Sequence, residues 1–99
     1  MIVHLDEPIK LKCSTDENVR MSSIKWYRNG HKINEENNSN LQVERVPSHD
    51  LIYSTLLIHR ATLNDAGTYM CKFEKIHEKI HVDVVIGLKS GINNKFFNF

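Results

Sequence analysis

The chain has 99 residues, 40% of them hydrophobic, with 13 Lys and Arg against 12 Asp and Glu and a formal net charge of +1 at pH 7. That length allows one compact domain, the balanced charge excludes bulk attraction to nucleic acid or an anionic membrane, and no stretch of eighteen apolar residues is present to span a bilayer. The opening MIVHLDEPIK lacks the apolar run of a signal peptide, as in an intracellular protein or a piece excised from a longer one.

Strand signals recur at the spacing of an all-β sandwich, over residues 2–5, 9–15, 22–28, 31–34, 41–46, 51–58, 68–75 and 79–86, with no amphipathic helical stretch in competition. Glu7-Pro8 precedes the second strand, in which IKLKC places Ile9, Leu11 and Cys13 on one side. Asn29-Gly30 follows the third and suits a type I′ hairpin. EENNSN, from Glu35 to Asn40, is a solvated loop carrying a glycosylation sequon at Asn37. Turns are expected at Pro47-Ser48-His49-Asp50 and at Asn64-Asp65-Ala66-Gly67. In TYMCKFE the residues Tyr69, Cys71 and Phe73 share a side.

Cys13 and Cys71 stand 58 positions apart, a spacing open to free thiols, a redox pair or one disulfide. Both occupy inward positions of alternating segments, and a bridge closing so long a loop is worth about 4 kcal/mol in the chain-entropy treatment.

The pentapeptide HEKIH, His77 to His81, has the spacing of a zinc-binding HExxH helix. It lies in KIHVDVVIG, where Ile80, Val82, Val84 and Ile86 alternate with Lys79, His81, Asp83 and Val85, so a strand is expected and the histidines diverge. If the hairpin turns at Ile76 and His77, Glu74 faces Lys79, Lys72 faces His81 and Met70 faces Asp83 outside, while Phe73–Ile80, Cys71–Val82 and Tyr69–Val84 pair inside. The six histidines are dispersed and no metal or other cofactor is expected. No nucleophile elbow or phosphate loop supports catalysis.

The constellation of Cys13, Trp26 and DAGTYMC ending at Cys71 resembles the immunoglobulin superfamily, most like its intermediate set. The resemblance covers residues 2 to 86 and implies a Greek-key β-sandwich of two antiparallel sheets, a Cys13–Cys71 disulfide under the Trp26 indole, and a tyrosine corner at Tyr69. Leu56, Ile58, Ala61, Asp65 and Gly67 match the family's run into its penultimate strand. It further implies an arginine partner for Asp65, for which Arg45 is the candidate. Asp6-Glu7-Pro8 stands where the family often has glycine. KWYRNG and GTYMCK give a narrower likeness to the immunoglobulin modules of neuregulin-type growth factors and receptor ectodomains.

Such domains have no inherent active site, so function is sought on surfaces. The candidate binding face comprises Lys25, Tyr27, Met70, Lys72, Glu74, Lys79, His81 and Asp83, mixing an aromatic, a methionine and both charge signs. The resulting expectation is a non-enzymatic extracellular module, residues 1–86, that binds another protein in adhesion or receptor–ligand interaction. Nucleic acid is not an expected partner, and a membrane enters only through a parent chain. The alternatives are a module gripping sulfated glycan through Lys25, Lys72 and Lys79, and an intracellular domain of muscle-filament type with reduced cysteines. The tail 87–99, GLKSGINNKFFNF, breaks the alternation and ends in Phe96, Phe97 and Phe99; it is expected to be a linker or unstructured remnant, or else to pack on the domain, a second copy or a neighbouring domain of a longer parent.

Overall fold

The computed structural model describes residues 1–16, 20, 23–36, 38–73, 76–86 and 96–98. Among the described residues there are nine strands, the longer ones built on alternating inward and outward residues: β1 Ile2–His4, β2 Ile9–Asp16, β3 Lys25–Arg28, β4 His31–Lys32, β5 Leu41–Ser48, β6 Leu51–Ile58, β7 Gly67–Phe73, β8 Ile76–Val85 and β9 Phe96–Asn98. They form a sandwich, one sheet ordered β1-β8-β7-β3-β4 and the other β5-β6-β2-β9. Most pairings are antiparallel, but β1 runs parallel to β8 and β9 parallel to β2.

The core lies between the sheets, where period-two patterning sends Ile9, Leu11 and Cys13 of β2, Ile52, Leu56 and Ile58 of β6, and Tyr69, Cys71 and Phe73 of β7 out of solvent. A disulfide joins Cys13 to Cys71 and so staples β2 to β7 across the two sheets. Trp26 stands directly opposite Cys71 on β3 and is fully buried. Its indole Nε1 donates to Ser54 Oγ at 2.8 Å, and Ser54 in turn stands opposite Cys13. The sheets are thus joined by a covalent link and a hydrogen-bonded one side by side.

The turns follow their local chemistry. Asn29 and Gly30 adopt φ of 51° and 81°, the two positive values that a type I′ hairpin demands. Asp6 has φ 70°, the left-handed conformation for which glycine is the usual choice, and it takes over the place the family often gives to that residue. Asp6 N donates to Ala61 O at 2.9 Å and Ala61 N to Glu7 O at 2.8 Å, which fixes the passage from β1 into β2. The expected four-residue turn at Pro47 is shorter: β5 continues to Ser48, which pairs with Leu51, and only His49 and Asp50 turn. Pro47 is accommodated because β5 is an edge strand, where a missing N–H costs no ladder bond.

Two further expectations are corrected. The β7–β8 hairpin turns between Phe73 and Ile76, so Met70 faces Lys79, Cys71 faces Glu78 and Lys72 faces His77. The expected register is four residues out, and His77 lies within β8 rather than in a turn. Arg45 does not reach Asp65: its Nη2 lies 2.8 Å from Glu35 Oε2, and its Nε and Nη2 donate to Ile24 O. The arginine beside Asp65 is Arg28, with Nη1 3.9 Å from Asp65 Oδ1 and a hydrogen bond to Asn64 O.

Candidate functional site

The outer face of β3, β7 and β8 is built row by row by cross-strand register. One row carries Lys25, Lys72 and His77; the next carries Lys32, Tyr27, Met70 and Lys79; the third carries Thr68 and His81; Asp83 follows, opposite Ile2 on β1. Because each strand alternates, the same register that buries Trp26, Tyr69 and Cys71 points this set outward. Tyr27 and Met70 are half-buried side by side at the centre, while Lys72, Lys79, His81 and Asp83 are exposed.

Seven of the eight expected face residues are therefore described on one surface, and Glu74 lies outside the described residues, as does its anticipated pairing with Lys79. Asn37 also lies outside them; Asn38 and Ser39 of the same sequon are exposed.

The charges on this face are segregated. Lys25 and Lys72 stand directly opposite one another, like charges on neighbouring strands. Ser23, Lys25, Tyr27 and Lys72 line a shallow depression of about 270 Å³. Lys32 and Lys25 also help hold the Glu35 carboxyl below the usual carboxylate range, although the chief cause there is its hydrogen bond from Arg45. At the opposite end His81 Nε2 lies 2.9 Å from Asp83 Oδ1, and His81 Nδ1 3.2 Å from Thr68 Oγ1. This is the order of a nucleophile–base–orienter relay. The His81 and Asp83 side chains are 59% and 58% exposed, however, and an open sheet face gives a substrate no water-excluded site.

The family signature residues serve the scaffold. Tyr69 OH donates to Asp65 O, and burial, with the Asp65 charge adding to it, pushes the phenol up to about 12. Asp65 Oδ2 accepts from Thr62 N at 2.8 Å and closes the 3-10 turn Leu63–Asp65. Gly67 has φ 151°, and a Cβ there would fall 2.7 Å from Asn29 Oδ1. Asn29 holds that position by accepting from Thr68 N at 2.9 Å and donating its own N–H to Thr68 O. Ser54, Arg28 and Asn29 carry structural roles not assigned from sequence. A polar residue at an inward position of YSTLL was the available signal for Ser54, since a buried hydroxyl requires a partner.

Comparison with known proteins agrees with this geometry. A family model described as an immunoglobulin domain matches residues 1–74. The chain is 35% identical over 63 residues to human pro-neuregulin-1, membrane-bound isoform, covering 63% of this chain and 9% of that protein. It is 28% identical over 83 residues to the Caenorhabditis elegans muscle M-line assembly protein unc-89, covering 84% of this chain and 1% of that protein. The chain thus spans about a tenth or less of the length of these relatives. Among solved structures, the Ig-like domain of human obscurin-like protein 1 superposes with a TM-score of 0.70 at 20% identity, covering 94% of this chain and 82% of that one. A titin A168169 structure gives 0.71 at 20% identity, covering 87% and 44%.

Proposed function

The chain belongs to the immunoglobulin domain family, a family of non-enzymatic binding and structural modules, and from that premise we propose that it is an extracellular module that recognises a partner protein through the outer face of β3, β7 and β8. The observation that carries this reading is the Tyr27–Met70 pair, half-buried at the centre of a flat face and rimmed by Lys25, Lys32, Lys72 and Lys79. An amphipathic aromatic beside a methionine is a composition of interface centres, and a polar rim excludes water around it. The rigid, stapled scaffold presents this face without ordering cost on binding. The surplus of lysine selects a partner surface rich in carboxylate. The Cys13–Cys71 bridge supports an oxidising compartment and hence a place in an adhesion, receptor or secreted signalling protein.

One observation favours a second reading. The opposed Lys25 and Lys72, in a row with His77 and beside Lys32 and Lys79, suit a sulfated glycan as well as an acidic protein. Fluorescent tetramers of the chain applied to cell surfaces separate the two. Staining that survives heparinase and falls about tenfold or more in a Tyr27→Ala/Met70→Ala variant supports protein recognition. Staining lost to heparinase, with steep salt dependence, assigns the face to glycan. Staining unchanged in the double variant removes the face altogether. The intracellular filament reading, which the likeness to unc-89 motivates, requires reduced cysteines; alkylation of both thiols in never-reduced native material would decide for it.

A further inference from the structure

The sheet that carries β2 has an edge that the recognition face does not use. β2 pairs with β6 along all eight residues, Ile9 to Asp16. On its other side only Lys10, Leu11 and Lys12 are paired, with Phe96, Phe97 and Asn98 in parallel. From Cys13 to Asp16 no strand lies beside β2 on that side among the described residues. An incompletely paired edge of this kind is a template for an extended segment, whose backbone supplies the affinity.

A three-residue strand is too short to stay paired without a tether. The tether here is the chain itself. Val85 O accepts from Leu5 N at 2.8 Å, and Leu5 is five steps from Lys10, a span of at most roughly 18 Å. The eleven steps from Val85 to Phe96 have a covalent reach of roughly 36–40 Å. Closure is thus sterically undemanding, and the segment meets the edge at an effective concentration on the order of millimolar. Cis pairing is populated at that concentration only if the free segment itself binds with a Kd near or below about a millimolar.

We propose that the outer edge of β2 is a strand-acceptor site for a parallel, aromatic-rich extended segment, held closed in cis by the chain's own Phe96–Asn98. The site lies on the sheet opposite the lysine-rimmed face, so it stands or falls independently of the proposed recognition function. Displacing the segment frees Lys10–Lys12 and leaves the whole eight-residue strand edge open, without disturbing the β2–β6 ladder or the disulfide.

The test uses the whole chain and its Phe97→Pro variant, in which the central residue of the short ladder loses its N–H and its strand geometry. Amide hydrogen exchange is read at the β2 positions whose N–H points away from β6, with β7 amides as the control for an intact fold. Exchange at those β2 positions is expected to be at least tenfold faster in the variant, and a synthetic peptide of residues 92–99 at millimolar concentration is expected to restore protection. Equal exchange in the two chains overturns the cis closure. A peptide without effect at several millimolar overturns the acceptor site. Protection in the wild-type chain that grows with protein concentration assigns the occupant to a second copy and likewise overturns the cis arrangement.

Discussion

Gly67 packs directly against the Asn29 side chain, and the lack of room there shows why DAGTY carries a glycine. The backbone at Gly67 takes φ 151°, and the position a Cβ would occupy is 2.7 Å from Asn29 Oδ1. Gly67→Ala must therefore strain the backbone and push away the side chain that accepts from Thr68 N. The expected cost is about 2 to 4 kcal/mol, combining an unfavourable conformation with a lost hydrogen bond. Urea denaturation should show a lower midpoint at an unchanged slope. Adding Asn29→Gly should recover part of the loss, because it removes the clash while leaving the strain. A Gly67→Ala midpoint equal to wild type would mean that the pocket is not what selects glycine. The glycine was recognisable from its motif, but its partner was not: Asn29 is a turn residue by local chemistry, and its second task appears only once β3 and β7 are paired.

Between elements, Arg45 acts as a clamp. It projects from β5 in one sheet to Ile24 and Glu35, which flank β3 and β4 in the other. The hydrogen bond from Arg45 is the main reason the Glu35 carboxyl lies below its ordinary range, with the Arg45, Lys32 and Lys25 charges adding to it and partial burial opposing it. A carboxyl lowered on folding stabilises the folded state above its unfolded pKa, and that contribution is lost as pH falls through the folded value. Glu35→Gln should accordingly melt below wild type at neutral pH, and the gap should close as pH falls from about 5 toward 2. Melting curves across that range test it; a gap independent of pH would mean that the carboxylate charge does not hold the clamp.

This scale also shows where sequence reasoning reaches its limit. The spans of β2 and β6 were legible to within a residue because long alternating runs bounded by Pro, Asn, Asp and Gly allow no other assignment. The register of β7 against β8 was not. A slip of four residues leaves every side chain on its own face, so alternation cannot distinguish the two pairings. Glu74-Lys75 carries no turn signature to place the hairpin. The face was therefore readable while its rows were not, and the opposition of Lys25 to Lys72 emerges only from the three-stranded alignment. β9 was illegible for a different reason, since three residues hold no period and their partner lies more than eighty positions away.

For the molecule as a whole, the cross-sheet bridge is a major stabilising device. Cys13 and Cys71 close a loop of 58 residues, worth about 4 kcal/mol in unfolded-state entropy. That is a large share of the 5 to 15 kcal/mol typical of a single domain. A Cys13→Ala/Cys71→Ala variant should keep its sandwich, because Trp26 and Ser54 still span the sheets, but should melt roughly 15–30 °C lower. Circular dichroism checks both parts. A variant that melts with wild type would place the stability in side-chain packing alone.

Among the described residues, the boundaries of the two sheets carry a consequence for crowding. Their outermost strands are β1, β4, β5 and β9, of three, two, eight and three residues, and the one long member contains Pro47. Zipping of neighbouring copies along β5 is thus interrupted midway by a residue with no N–H to donate, which guards the longest of these outermost strands against edge-to-edge pairing.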